Sequence, residues 1–193
     1  MVKKEDNEIT VRVICSENDL INKLKGEGFI EGKSFTLDDY FFVPEDLDID
    51  NMTVREILAK AVIVRYIVKS DKIVKVITVK KKEFNEKGEI LKQKAINCDV
   101  LDIDAAKNLL NAMGYSKIMN IKEKDVLYYK DDFELAIKYI ENSNILIEIE
   151  TNSEYDTIEK LKNKVEEIKL PIEKDTYFVK KAEEELSKIL NRR

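Results

Sequence analysis

Ionised residues recur at alternate positions inside β-branched runs, and this pattern constrains the fold more than any other feature of the chain. Asn144 to Glu150 reads NILIEIE. Ile145, Ile147 and Ile149 fall on one side of an extended backbone, and Leu146, Glu148 and Glu150 on the other. Comparable runs occupy Glu8 to Cys15, Val62 to Val68, Ile73 to Lys80, Leu91 to Cys98, Ile118 to Tyr129 and Phe133 to Ile140. Together they amount to about seven strands by pattern. Short polar turns, around Ser70-Asp71 and Glu86-Lys87-Gly88, favour antiparallel hairpins over a doubly wound sheet. Closure into a barrel is the expected way for so many strands to remove their exposed edges.

Helical patterns lie between and after the strands. Ser16 caps a segment carrying Leu20, Ile21 and Leu24, stopped by Gly26 and Gly28. Thr53 with Glu56 forms a capping-box pattern ahead of Ile57 and Leu58. Asp102 or Asp104 opens a segment with Leu109, Leu110 and Met113, closed by Gly114. Thr157 to Ile168 and Asp175 to Leu190 read as two amphipathic helices separated by Pro171. The expected fold class is α+β, an antiparallel closed β-barrel with flanking helices, in a single domain over residues 1–193 whose C-terminal helices span about 157–190.

The 193 residues are 44% hydrophobic and 38% charged, with five Gly and two Pro, so the chain can bury a core. It has no run of roughly 18 apolar residues, and MVKKEDNE lacks the apolar stretch of a signal peptide. A cytoplasmic location without a membrane partner is expected. A net charge of −5 argues against general nucleic-acid binding. There are two cysteines, Cys15 and Cys98, and no histidine. Ser-His-Asp triads, Cys-His pairs and the usual zinc sites are therefore excluded. Any catalyst must work with carboxylates, lysines, arginines, tyrosines and hard metal ions.

Three local patterns yield nothing. Gly32-Lys33-Ser34 lacks the glycine five positions earlier that a phosphate loop needs, since Glu27 stands there. Asp46, Asp48 and Asp50 imitate a calcium loop, but Asn51 and Ile57 occupy its glycine and glutamate positions. The run KKAEEELSK reads as a charged helix face.

The strand charges carry more. Arg65 interrupts VIVRYIV; Glu8 and Arg12 share a face with Thr10; Lys80 shares one with Val76 and Thr78. Lys122 and Lys124 share a face with Val126 and Tyr128, Lys92 and Lys94 alternate with Gln93 and Ala95, and Lys138 lies within FELAIKYI. Each alone reads as a wet outer face. If the sheet closes with these faces inward, its lumen holds cations and carboxylates together, a costly lining without mutual pairing or a ligand. A polyanion with a divalent metal suits such a lining: Arg and Lys take phosphate oxygens, and Glu148 and Glu150 offer hard oxygen donors.

Taken in order, these segments resemble the CYTH family of triphosphate tunnel metalloenzymes, which includes class IV adenylyl cyclases, thiamine triphosphatases and inorganic triphosphatases. The resemblance runs from Glu8 to about Leu190. It rests on Glu8-x-Thr10-x-Arg12 for the opening E-x-E-x-K strand, Asp38 to Phe42 for a D-x-Y-F-like segment, and Val64 to Ile67 for an R-I-R-like strand. It continues through Thr78-Val79-Lys80, the helix end Leu109 to Tyr115, Lys122 and Lys124, Glu148-Ile149-Glu150, and Asp175-Thr176-Tyr177. Departures accompany it. Thr10 replaces a glutamate, Gln93, Ala95 and Asn97 stand at the R-x-E-x-E positions, and Ile137-Lys138 stands where the family has L-D.

The resemblance implies a Mg²⁺ or Mn²⁺ site at Glu8, Glu148 and Glu150, with triphosphate binding by Arg12, Arg65, Lys80, Lys122 and Lys124. Arg12 and Lys80 would act in catalysis. The implied partner is a small-molecule triphosphate (inorganic triphosphate, thiamine triphosphate or a nucleotide), and a homodimer is compatible with the sequence. Hydrolysis is the leading expectation. A non-catalytic polyphosphate or nucleotide binder, an adenylyl cyclase and a plain structural domain with self-paired charges are the alternatives.

Overall fold

A computed structural model describes residues 8–84, 90–174 and 176–191, with side chains described except at 82–93. The expected turn at Glu86-Lys87-Gly88, Asp175, and the side chains of Lys92 and Gln93 lie outside the described residues. The chain forms two compact units, one of residues 1–35 and 123–179, the other of 36–122 and 180–193. Eight antiparallel strands run in the order β1-β8-β7-β6-β2-β3-β4-β5. β2 (Ile30–Pro44) and β6 (Tyr115–Lys130) each contribute to both units.

In the first unit, β1 (Glu8–Arg12), β7 (Phe133–Ile140) and β8 (Ile145–Glu150) join the end of β6. α1 (Glu17–Gly26) and α4 (Ile158–Ile168) supply the helices. Strand alternation turns Ile9, Val11, Val126, Tyr128, Ile137, Ile147 and Ile149 into one core with Leu20, Leu24, Leu161 and Val165 of the helices. Each such fully buried aliphatic contributes about 1.5–3 kcal/mol. Ser16 and Thr157 cap the helices by accepting from the amides of Asp19 and Lys160, and α1 places acidic residues first and basic residues last, as its dipole favours.

The second unit carries β3 (Val62–Val68), β4 (Ile73–Phe84) and β5 (Ile90–Asp99) beside the other halves of β2 and β6. Its helices are α2 (Val54–Ala59), α3 (Ile103–Ala112) and α5 (Lys181–Leu190). Phe42 and Val64 pack against Ala106 and Leu110 of α3. The capping box of Thr53 and Glu56 is formed, and Asp102 caps α3. Gly114, at φ +79°, takes the left-handed conformation that ends α3.

Three expectations change. The fold is α+β and antiparallel, but the sheet is not closed by hydrogen bonds: the strand order starts at β1 and ends at β5. β1 loses its edge by another route, because residues 171–179 bond along it. Thr10 donates its amide to the Tyr177 carbonyl, while the amides of Val179, Glu173 and Ile14 donate to Thr10, Arg12 and Pro171. The last helix therefore begins at Lys181 rather than Asp175, since Tyr177, Phe178 and Val179 are β-prone residues whose backbone groups serve β1. β2 is a strand that the period-2 pattern does not reveal. Gly32-Lys33-Ser34 lies within it, in extended backbone. Among the described residues, no helix is long and apolar enough to cross a membrane.

Candidate functional site

The pairing of β1 with β8 sets Glu8 opposite Glu150 and Thr10 opposite Glu148. Directly paired residues share a face, so Glu8, Glu148 and Glu150 project to the side away from Ile9, Ile147 and Ile149. One carboxylate oxygen from each lies within 4.8 Å of the others. Glu8 and Glu148 are half-buried and Glu150 is exposed. The three sequence-predicted metal ligands are thus brought together.

A further charged group adjoins them. β6 and β7 pair Asp125 with Lys138, and β7 and β8 pair Ala136 with Glu148. The Lys138 ammonium lies 2.9 Å from Asp125 Oδ2, 3.1 Å from Glu148 Oε1 and 3.9 Å from Glu123 Oε1. The side chains of Glu123 and Asp125 are 1% and 2% exposed, and that of Lys138 is 11%. Charges this deep persist only when paired. Burial works against the Lys138 charge, yet Glu148, Glu123 and Asp125 together hold its pKa well above the ordinary lysine value. Burial pushes the Asp125 carboxyl up to about 6 despite that ammonium. Asp125 Oδ1 is buried with no hydrogen-bond partner.

The donor set at Glu8, Glu148 and Glu150 consists of hard carboxylate oxygens without imidazole or thiolate, which fits Mg²⁺ or Mn²⁺ and not a soft metal. Thr10, opposite Glu148, is buried at the same face and brings a hydroxyl to it.

The cations behave differently from one another. Arg12 shares the face of Glu8, and its Nη1 lies 2.6 Å from Glu173 Oε2. In the second unit, Arg65 stands opposite Asp39 and Val76. Its guanidinium forms a two-pronged bond to the buried Asp39 carboxylate, with Nε to Oδ1 at 2.7 Å and Nη2 to Oδ2 at 2.6 Å. Lys80, four residues beyond Val76 on β4, has the same strand parity, stands opposite Ala95 of β5 and is half-buried. Lys122 and Lys124 are exposed and alternate with buried Ile121, Glu123 and Asp125. Lys124 stands opposite Tyr139, which packs on the hydrophobic core. The structure therefore turns Lys124 away from the face that bears Asp125 and Glu148. Lys122 shares its strand parity, as Val126 and Tyr128 do.

Lys138 was among the charges the strand pattern picked out, but Glu123 and Asp125, which pair with it, were not. The signal was parity: if Lys124 shares a side with core residues Val126 and Tyr128, then Glu123 and Asp125 must take the other side.

No protein-family model matches the chain, and no curated protein sequence matches it. Solved structures do. The PH1819 protein of Pyrococcus horikoshii OT3 superposes with a TM-score of 0.69 at 17% identity, covering 95% of this chain and 99% of its own. A putative adenylate cyclase of Vibrio parahaemolyticus gives 0.56 at 14% identity, covering 97% and 98%. The putative adenylyl cyclase HpAC1 of Hippeastrum, described as having a dominant triphosphatase activity, gives 0.54 at 13% identity, covering 88% and 90%. At these identities the likeness is one of fold, which the chain shares with these proteins over nearly its whole length.

Proposed function

We propose that this chain binds a triphosphate-containing small molecule together with Mg²⁺ or Mn²⁺ and hydrolyses it. The observation that carries the reading is the gathering of Glu8, Glu148 and Glu150, whose carboxylate oxygens lie within 4.8 Å of one another. The shared fold with a protein described as a triphosphatase supports it. A bound divalent ion supplies positive charge to phosphate oxygens and acidifies a water.

The chain's own groups do the rest. The three glutamates hold the ion, and Arg12 offers its guanidinium to phosphate oxygens in exchange for Glu173. Charge from Arg12 stabilises the anionic transition state. In the reaction, water attacks the terminal phosphoryl group, the bridging P–O bond breaks, and orthophosphate and a diphosphate leave with one proton released. Lys122 and Lys124 drop out of this assignment. Phosphate release from inorganic triphosphate, thiamine triphosphate and ATP with Mn²⁺ tests it. Turnover of at least one, abolished in E148Q/E150Q, is expected; no turnover of any removes hydrolysis.

A second reading, a non-catalytic binder, draws on the internal pairing of the cations: Arg12 with Glu173, Arg65 with Asp39, Lys138 with three carboxylates. Calorimetry separates the two, since binding of triphosphate without metal and without turnover selects the binder.

A further inference from the structure

Glu148 belongs to two groups at once. With Glu8 and Glu150 it forms the carboxylate triad; with Glu123 and Asp125 it surrounds the Lys138 ammonium. The second group is also three carboxylates, two from β6 and one from β8 on either side of Lys138 in β7, and Glu123 and Asp125 are its deeply buried members. Without Lys138 it would be another hard-oxygen cation site. With Lys138 the position is filled by an ammonium that the fold cannot release, because β7 fixes the backbone at Ala136 and Lys138 between β6 and β8.

We infer that Lys138 is a tethered cation that occupies the second cation position beside the triad, restricting the site to a single divalent ion and setting that ion's affinity through Glu148. Lys138 is thus a positioning residue, acting through Glu148 and not on substrate. Two physical effects follow. The ammonium competes for Glu148 and repels a neighbouring divalent ion, which weakens binding at the triad. It also neutralises buried charge on Glu123 and Asp125 that would otherwise need a metal. The departure at Ile137-Lys138 acquires a purpose: a fixed monovalent charge stands in for an exchangeable divalent one.

The inference rests on the metal-binding part of the proposed function, so its test must read metal binding apart from activity. Mn²⁺ is titrated into the purified full chain and followed by electron paramagnetic resonance, with inorganic triphosphate binding measured by calorimetry on the same samples. The wild type is expected to take a single Mn²⁺ per chain. K138M should either gain a second Mn²⁺ or bind the first about tenfold more tightly, and K138R should behave as wild type. Two Mn²⁺ in the wild type, or K138M with unchanged stoichiometry and affinity, overturns the inference. No Mn²⁺ bound to any variant overturns it along with the metal part of the proposed function, whereas lost triphosphate binding with the Mn²⁺ pattern intact overturns only the latter. Should K138M not fold, E123Q/D125N leaves Glu148 as the sole carboxylate of the three for Lys138; Mn²⁺ affinity should then fall about tenfold, and unchanged affinity counts against the inference.

Discussion

Asp125 combines a short ion pair with a carboxyl that is harder to ionise than usual, because burial exceeds the attraction of Lys138. Its folded pKa of about 6 stands above the ordinary 3.8, so between these values the native state binds more protons than the unfolded chain. The stability contributed by protonated Asp125 is complete below about pH 4 and disappears as pH rises through 6. Measured against D125N by urea unfolding, the wild type should be favoured more at pH 4.5 than at pH 7.5. Two pKa units set an upper bound of roughly 3 kcal/mol on the change, and a gap that does not vary with pH contradicts the assignment. At Gly32 the constraint is steric: a Cβ there would run into the Tyr129 ring. G32A should cost about 1 kcal/mol, the low end for an added methyl because the ring is half-exposed, and Y129A in the same chain should recover most of it; an additive double variant argues against the contact.

Among the elements, the segment 171–179 does for β1 what barrel closure was expected to do, and its backbone bonds make that testable. V179P removes the amide that donates to the Thr10 carbonyl. It should destabilise the protein by about 1–3 kcal/mol and speed hydrogen exchange at Thr10, whose own amide bonds the Tyr177 carbonyl; a protected Thr10 amide in V179P opposes this view of the edge. The capped helices invite a simpler check, since T53A should cost about 1 kcal/mol in thermal unfolding, and no loss would argue against the cap. The strands with Val and Ile on every second residue were legible, as were caps spelled by Ser16, Thr53 and Asp102, because period and side-chain hydrogen bonding are local properties. β2 was not, since GKSFTLDDYFFVP places charges, aromatics and Gly without a period of two. The candidate site was legible in the glutamates of β1 and β8, where one strand pattern fixes the face. At Lys122 and Lys124 the pattern fixed only the parity shared with Val126 and Tyr128, since which side of β6 meets the core is set by tertiary packing.

For the molecule as a whole, each unit covers one side of its strands with helices and sets ionised residues on the opposite side: Glu8, Glu148, Glu150 and Lys138 in the first, Arg65 and Asp39 in the second. A chain with net charge −5 thereby concentrates carboxylates where a hard cation can offset them, and the central claim is that Glu8, Glu148 and Glu150 hold that cation for a triphosphate. Anomalous diffraction at the manganese edge, from crystals grown with Mn²⁺ and inorganic triphosphate, addresses it directly. One anomalous peak coordinated by Glu8, Glu148 and Glu150 is expected, with phosphate density against it. Crystals without a peak at those three carboxylates, or with manganese bound elsewhere on the chain, would contradict it.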